Sequence, residues 1–221
     1  AAGRETSGPE AGDVPFSAAQ TVALRRGQWD WWNRAVMLDV HRRLTPENLR
    51  RATSALVARH EALRLRFRRV DERFVASLDD RPPAVVQRYG DIEGSFAVES
   101  VTVRGDGESD ALLPLLSEQH RRLSVENGPV LRLLLVETGS GQRLFITVNH
   151  LVMDGITLGI LVDDLDRLCQ LEERGERLSL PRESARFEVF SRWMSDFARG
   201  DATADLDFWH EQLAVPPPAA Y

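Results

Sequence analysis

With Cys169 as its only cysteine, the chain of 221 residues can form no internal disulfide, and a reducing compartment, the cytoplasm, is the expected setting. No apolar run approaches the length of a membrane span, and the first residues hold no apolar signal core, so no membrane partner is expected. Long runs of one charge sign are also missing. The net charge of −6 is spread over interspersed Arg and Glu/Asp, which argues against nucleic acid as the main partner. The basic side chains are arginine and alanine is abundant, a pattern of GC-rich coding more than of function. There is no Gly-x-Ser-x-Gly elbow, no phosphate-cradling Gly-rich loop and no Cys/His cluster at zinc spacing. What is present, 43% apolar and 28% charged residues, suits a globular α/β protein with a substantial core.

Residues 1–14 are rich in Gly, Pro and charge without periodicity and read as a flexible linker. A short helix is expected over 17–28 and a strand over 35–40. Thr45-Pro46-Glu47 is a helix start, with a capping hydroxyl, proline at the first position and an acid in the first turn. Leu49, Ala52, Leu56, Val57 and Leu63 continue it at helical spacing. A hairpin is expected from 65–70 and 74–78, further strands at 84–88 and 96–103, and a helix at 109–122. A second hairpin joins 130–137 to 143–148 around Thr138-Gly139-Ser140-Gly141-Gln142. Helices follow after residue 155, over 187–198 and over 204–213, and the Pro-rich 215–221 forms a tail or linker. Helices mixed with hairpins imply a mixed, mainly antiparallel sheet covered by helices.

The chemistry concentrates at Asn149-His150-Leu151-Val152-Met153-Asp154-Gly155, directly after the apolar run 144–148. A strand ending in a turn delivers its last side chain to the sheet edge, and a neutral imidazole there can take or orient a proton near neutral pH. Asp154 can reach back to an arginine, or cap the following helix. Gly155 is read as permitting a backbone geometry closed to other residues, with free helix N–H groups behind it as oxyanion donors. A packed histidine followed by a helix cap is the alternative. His150 and Asp154 lack an evident third metal ligand, so no metal is expected.

Arg59-His60-Glu61-Ala62-Leu63-Arg64 is a second cluster, in which His60 at a helix C-terminus suits a structural role. Arg64 is a candidate partner for Asp154, or a solvated surface arginine. Trp29, Trp31 and Trp32 are expected to pack on the first strand, with lining of a pocket the alternative, and Phe187, Phe190, Trp193 and Phe197 to form a core stripe. Cys169 reads as buried rather than nucleophilic.

In this order the pieces resemble the N-terminal lobe of a nonribosomal peptide synthetase condensation domain, of the chloramphenicol-acetyltransferase-like fold. The resemblance runs from about Val14 to Leu213. The family's Ser-x-Ala-Gln is matched by Ser17-Ala18-Ala19-Gln20, departing at Val22-Ala23-Leu24. Its Arg-His-Glu-x-Leu-Arg-Thr-x-Phe is matched by Arg59 to Phe67, with Leu65 for threonine. Its His-His-x-x-x-Asp-Gly is matched by Asn149 to Gly155, with Asn149 for the first histidine. Its aromatic-rich helix is matched by Phe187 to Trp193, with Val189 for the usual aspartate, and Phe208-Trp209 suits the end of the lobe.

The resemblance implies that His150 is the catalytic residue. Asp154 would hold the loop through an arginine, with Arg64 the candidate, and Gly155 would sit where thioester and acceptor meet. The family joins a carrier-bound acyl or peptidyl thioester to an amine. It binds no cofactor of its own, since its substrates ride on phosphopantetheine arms of peptidyl or acyl carrier domains. It also needs a C-terminal lobe of the same domain, whose motifs are not in these residues, so this lobe alone is expected to be inactive. Two other readings fit the residues: a same-fold acyltransferase using a free alcohol or amine, and a degenerate lobe that recruits a carrier or tailoring enzyme without catalysis.

Overall fold

Backbone chemistry sets the first boundaries in the computed structural model, which describes residues 13–27, 29–69, 85–103, 108–181, 185–200 and 205–214. Ser17 caps helix α1 (Ala18–Arg26) through a reciprocal box. Its hydroxyl accepts from the Gln20 N–H, and its own N–H donates to Gln20 Oε1 at 3.0 Å. Thr45 caps α2 (Pro46–Arg59) by accepting from the Asn48 N–H, with Pro46 where its missing N–H costs nothing. Asp154 caps α4 (Gly155–Glu173).

Strands β1 (Asn33–Val40), β4 (Phe96–Thr102), β5 (Leu131–Thr138) and β6 (Gly141–Asn149) form one sheet in the order β1-β6-β5-β4. Only β4 and β5 run parallel, so the sheet is mixed and mainly antiparallel, as expected. The β5–β6 hairpin turns on Gly139-Ser140 alone, because Thr138 and Gly141 are already paired. That loop is tighter than the five residues read from sequence.

Leu131, Leu133 and Leu135 of β5 face one core with Leu49 and Leu56 of α2 and Leu161, Leu165 and Leu168 of α4. Leu134 and Val136 face the other way, onto Phe145 and Leu112 of α3 (Glu108–Arg121). Strand β5 is buried on both faces and apolar over 133–136, with buried Arg132 satisfied by Gln119 and Glu99, so helices cover the sheet on each side. No helix among the described residues is long and apolar enough to cross a membrane.

A separate ribbon pairs β2 (Leu65–Arg69) with β3 (Val85–Tyr89) antiparallel. The strand expected at 74–78 lies outside the described residues, and the partner of β2 is the segment read as an independent strand. Val14 is buried and bridges to Gln87, and the Asp13 carboxylate meets Arg88 at 2.6 Å, so the last two residues of the stretch read as a linker pack against β3; the rest of that stretch lies outside the described residues. Helices α5 (Phe187–Arg199) and α6 (Leu206–Ala214) complete the described chain. The tail 215–221 lies outside it. The expected core stripe on α5 is largely on the surface, since Phe190, Trp193 and Phe197 are exposed and Trp193 stacks on Phe197 at 5.7 Å. Helical spacing specifies a stripe, not what covers it.

Candidate active site

The antiparallel register of β1 and β6 sets Asn33 opposite Asn149, and His150 is the next residue out. Its N–H donates to the Trp32 carbonyl at 2.7 Å, extending the ladder one step past the strand end. His150 thus stands at the sheet edge on ordered backbone. Its imidazole stacks face to face on the Trp32 indole, with ring centroids 4.2 Å apart and planes 3° from parallel.

Asn149 is fully buried and spends its whole amide on structure. Its Nδ2 donates to the Trp29 carbonyl at 2.6 Å and to Asn33 Oδ1 at 3.0 Å, while its Oδ1 accepts from the Leu151 N–H at 2.9 Å. One side chain therefore ties the start of β1 to both sides of His150. The loop is held from a third direction by Gln20, whose Nε2 donates to the Leu151 carbonyl at 2.8 Å. The same amide caps α1 with its oxygen, so Ser17 and Gln20 join a helix start to the histidine loop.

Asp154 and Gly155 are placed differently from the sequence reading. Asp154 Oδ1 accepts from the Thr157 N–H and from the Thr157 hydroxyl, each at 2.7 Å. These bonds, the backbone one foremost, hold its carboxyl below the usual aspartate range, with a smaller contribution from nearby His150. Among the described residues no ion pair joins it to Arg64, whose guanidinium carbon lies 5.5 Å from the centre of the Tyr89 ring. The cap wins because Thr157 lies within one helical turn, whereas an arginine pair needs a second chain segment at the right distance.

The cap also takes the Thr157 N–H, so that donor is not free for an oxyanion. Gly155 has no left-handed φ, and a Cβ there would meet nothing within 4 Å. A side chain there would extend into open space, so neither a special backbone nor a close contact calls for glycine at this position.

The second cluster is a brace. His60 Nε2 meets Asp164 of α4 at 2.7 Å. Buried Glu61 accepts from the Arg186 guanidinium at 2.8 Å and from the Glu188 N–H at 3.1 Å. The α2 end is thereby fastened to α4 and to the start of α5, whose Phe187 and Phe190 line a cavity together with His150. That cavity, of about 420 Å³, is lined also by Asp154, Thr157 and Trp32 among others. No group of three or more metal-ligating side chains occurs among the described residues.

Residues 10–219 match the family described as the condensation domain. The chain belongs to that family. One of the linear gramicidin synthase subunits of Brevibacillus parabrevis is 30% identical over 210 residues, covering 91% of this chain and 3% of that protein. Surfactin synthase subunit 2 of Bacillus subtilis is 27% identical over 217 residues, covering 94% of this chain and 6% of the relative.

Among solved structures, the epimerization domain from the third module of tyrocidine synthetase B superposes with a TM-score of 0.81 at 21% identity, over 99% of this chain and 47% of the other. The starter condensation domain of rhizomide synthetase superposes with a TM-score of 0.73 at 16% identity, over 95% of this chain and 52% of the other. These two likenesses show a shared fold, and the chain spans about half of each solved chain.

In this condensation-domain chain, sequence reasoning named Trp32 and Glu61 but not their partners, the His150 ring and Arg186. Trp32 carried a signal in its place directly before the first strand, but nothing local pairs it with a histidine more than a hundred residues away. Cys169 is buried in α4, as expected, and burial pushes its thiol up to about 11.

Proposed function

We propose that this chain supplies the histidine-bearing half of a condensation site, which joins a carrier-bound acyl or aminoacyl thioester to an amine. The observation that carries the proposal is His150 itself, set at the rim of a cavity with its backbone clamped by Trp32 and Asn149. In the proposed step the acceptor amine nitrogen attacks the thioester carbonyl carbon. The nitrogen–carbon bond forms, the carbon–sulfur bond breaks, and the proton lost by the amine ends on the departing phosphopantetheine thiolate. A neutral imidazole at the rim orients the amine or carries that proton. The cavity of about 420 Å³ that His150 lines supports this reading, because it leaves room for the reacting groups. Asp154 and Asn149 hold the loop, and the brace around Glu61 keeps α5 on the cavity's other side.

The substrates arrive on phosphopantetheine arms of carrier domains, and a second lobe of the same domain closes the site. Support for the second lobe comes from the solved chains, about twice this length, that share the fold. The test uses the complete two-lobe domain with loaded donor and acceptor carriers, the amide product being quantified by mass spectrometry. His150→Ala should lower the condensation rate by on the order of 10²–10⁴-fold. Unchanged amide formation would remove His150 from the chemistry. Product from free alcohols but not from carrier-bound amines would favour the free-acceptor acyltransferase.

A further inference from the structure

Trp32 presents the face of its indole to His150 along nearly parallel planes, and the backbone around both rings fixes that arrangement. The Trp32 carbonyl accepts from the His150 N–H, and its own N–H reaches the Trp29 carbonyl at 3.4 Å. The next residue, Asn33, is bonded to Asn149, the residue before His150. Ring and ring are thus borne on two backbone segments locked together on both sides of the stack. The indole is nevertheless 39% exposed, so its position is not a by-product of deep burial. Trp32 also lines a second, largely apolar cavity of about 600 Å³ with Ala18, Val22, Trp29 and Trp31. Trp32, with Ala18 and Ala19, thus lines both that cavity and the one holding His150.

We propose that Trp32 is a positioning residue for His150, its indole face setting the plane of the imidazole so that a ring edge, with its nitrogen, addresses the cavity. The proposal rests on the reading of His150 as the reacting group. A partly exposed imidazole without a flat neighbour samples several staggered side-chain rotamers, and only some of them aim a nitrogen at an acceptor amine. Stacking against a plane fixed at its backbone removes most of them. Misplacement of a reacting group by about 1 Å is enough to cost on the order of 10²-fold in rate.

The test compares Trp32→Ala, Trp32→Phe and Trp32→Tyr in the complete two-lobe domain. The Trp32 carbonyl clamp is main chain and survives all three. For Trp32→Ala, kcat should fall roughly 10- to 100-fold with KM changed much less, and the two aromatic variants should recover most of the loss. In the same proteins with isotope-labelled histidine, the His150 ring-proton signals, assigned from His150→Ala, should move downfield in Trp32→Ala as the indole's shielding is lost. The other histidine signals should stay in place, which separates loss of the stack from unfolding.

Unchanged kcat with unmoved His150 signals would overturn the proposal. So would a raised KM at full kcat, the mark of a wall for substrate, or a lack of rescue by Phe and Tyr. Full activity of His150→Ala would instead overturn the catalytic reading, and the imidazole signals would still report whether the stack exists.

Discussion

Asn149→Asp is the sharpest probe of how the histidine loop is held, since it changes the hydrogen-bond chemistry of a fully buried side chain while keeping its shape. The oxygen that accepts from the Leu151 N–H is retained. At the other branch two donors are lost, and an oxygen faces the Trp29 carbonyl at 2.6 Å and Asn33 Oδ1 at 3.0 Å. Asn33 Oδ1 is left without this donor, and the Trp29 carbonyl keeps the long 3.4 Å bond from the Trp32 N–H. At about 1–3 kcal/mol for each lost bond, the two give about 2–6 kcal/mol before any charge is counted. A loss of about 4 kcal/mol is a large part of the ~5–15 kcal/mol that holds a typical domain folded. For a chain of this size it lowers Tm by about 8–16 °C.

The introduced carboxyl sits among acceptors and away from water, which raises its pKa in the folded state above the unfolded value. The deficit is therefore greatest at neutral pH and eases as pH falls through that raised value. Urea unfolding followed by tryptophan fluorescence at several pH values measures both effects. A loss under about 1 kcal/mol, or one independent of pH, would refute the clasp described for Asn149.

Two further outcomes follow from the same geometry. Asp154→Ala should cost about 1 kcal/mol at neutral pH as a lost helix cap. Because the folded carboxyl lies below its unfolded value, its pH-dependent contribution is full above about pH 3.9 and is lost as pH falls through the folded value, so the difference from Asp154→Ala should narrow there. Equal differences at neutral and strongly acid pH in urea unfolding would contradict the cap. With its thiol near 11, Cys169 should be about a thousandth thiolate at pH 8 and react with a disulfide reagent only after unfolding. Rapid labelling of the native chain would place Cys169 elsewhere than in the core.

Much of this arrangement is legible in the amino-acid order. The apolar run 144–148 followed by Asn149-His150 places the histidine at a strand end, and the cap signals at Ser17, Thr45 and Asp154 are local chemistry read within one helical turn. The four segments that resemble condensation-domain motifs, in their order, point to the family that the match over residues 10–219 shows. What stays hidden depends on segments far apart in sequence. Arg64 and Asp154 carry opposite charges and invite pairing on paper, yet the aspartate is satisfied by Thr157 and the arginine lies over Tyr89. The α5 aromatics read as core, because a helical stripe looks the same whether or not another layer covers it. The strand at β3 looks like an isolated segment, because pairing with β2 is a matter of register rather than composition.

By itself the sequence determined the secondary elements, the helix caps and the presence of a histidine at the edge of a sheet, since each follows from side-chain periodicity and bonds closed within a few residues. Only the tertiary structure decided what surrounds that histidine. The order β1-β6-β5-β4 puts Asn33 opposite Asn149 and so brings Trp32 face to face with His150. Those contacts cross more than a hundred residues of chain, and strand register, which no local pattern encodes, is what makes them.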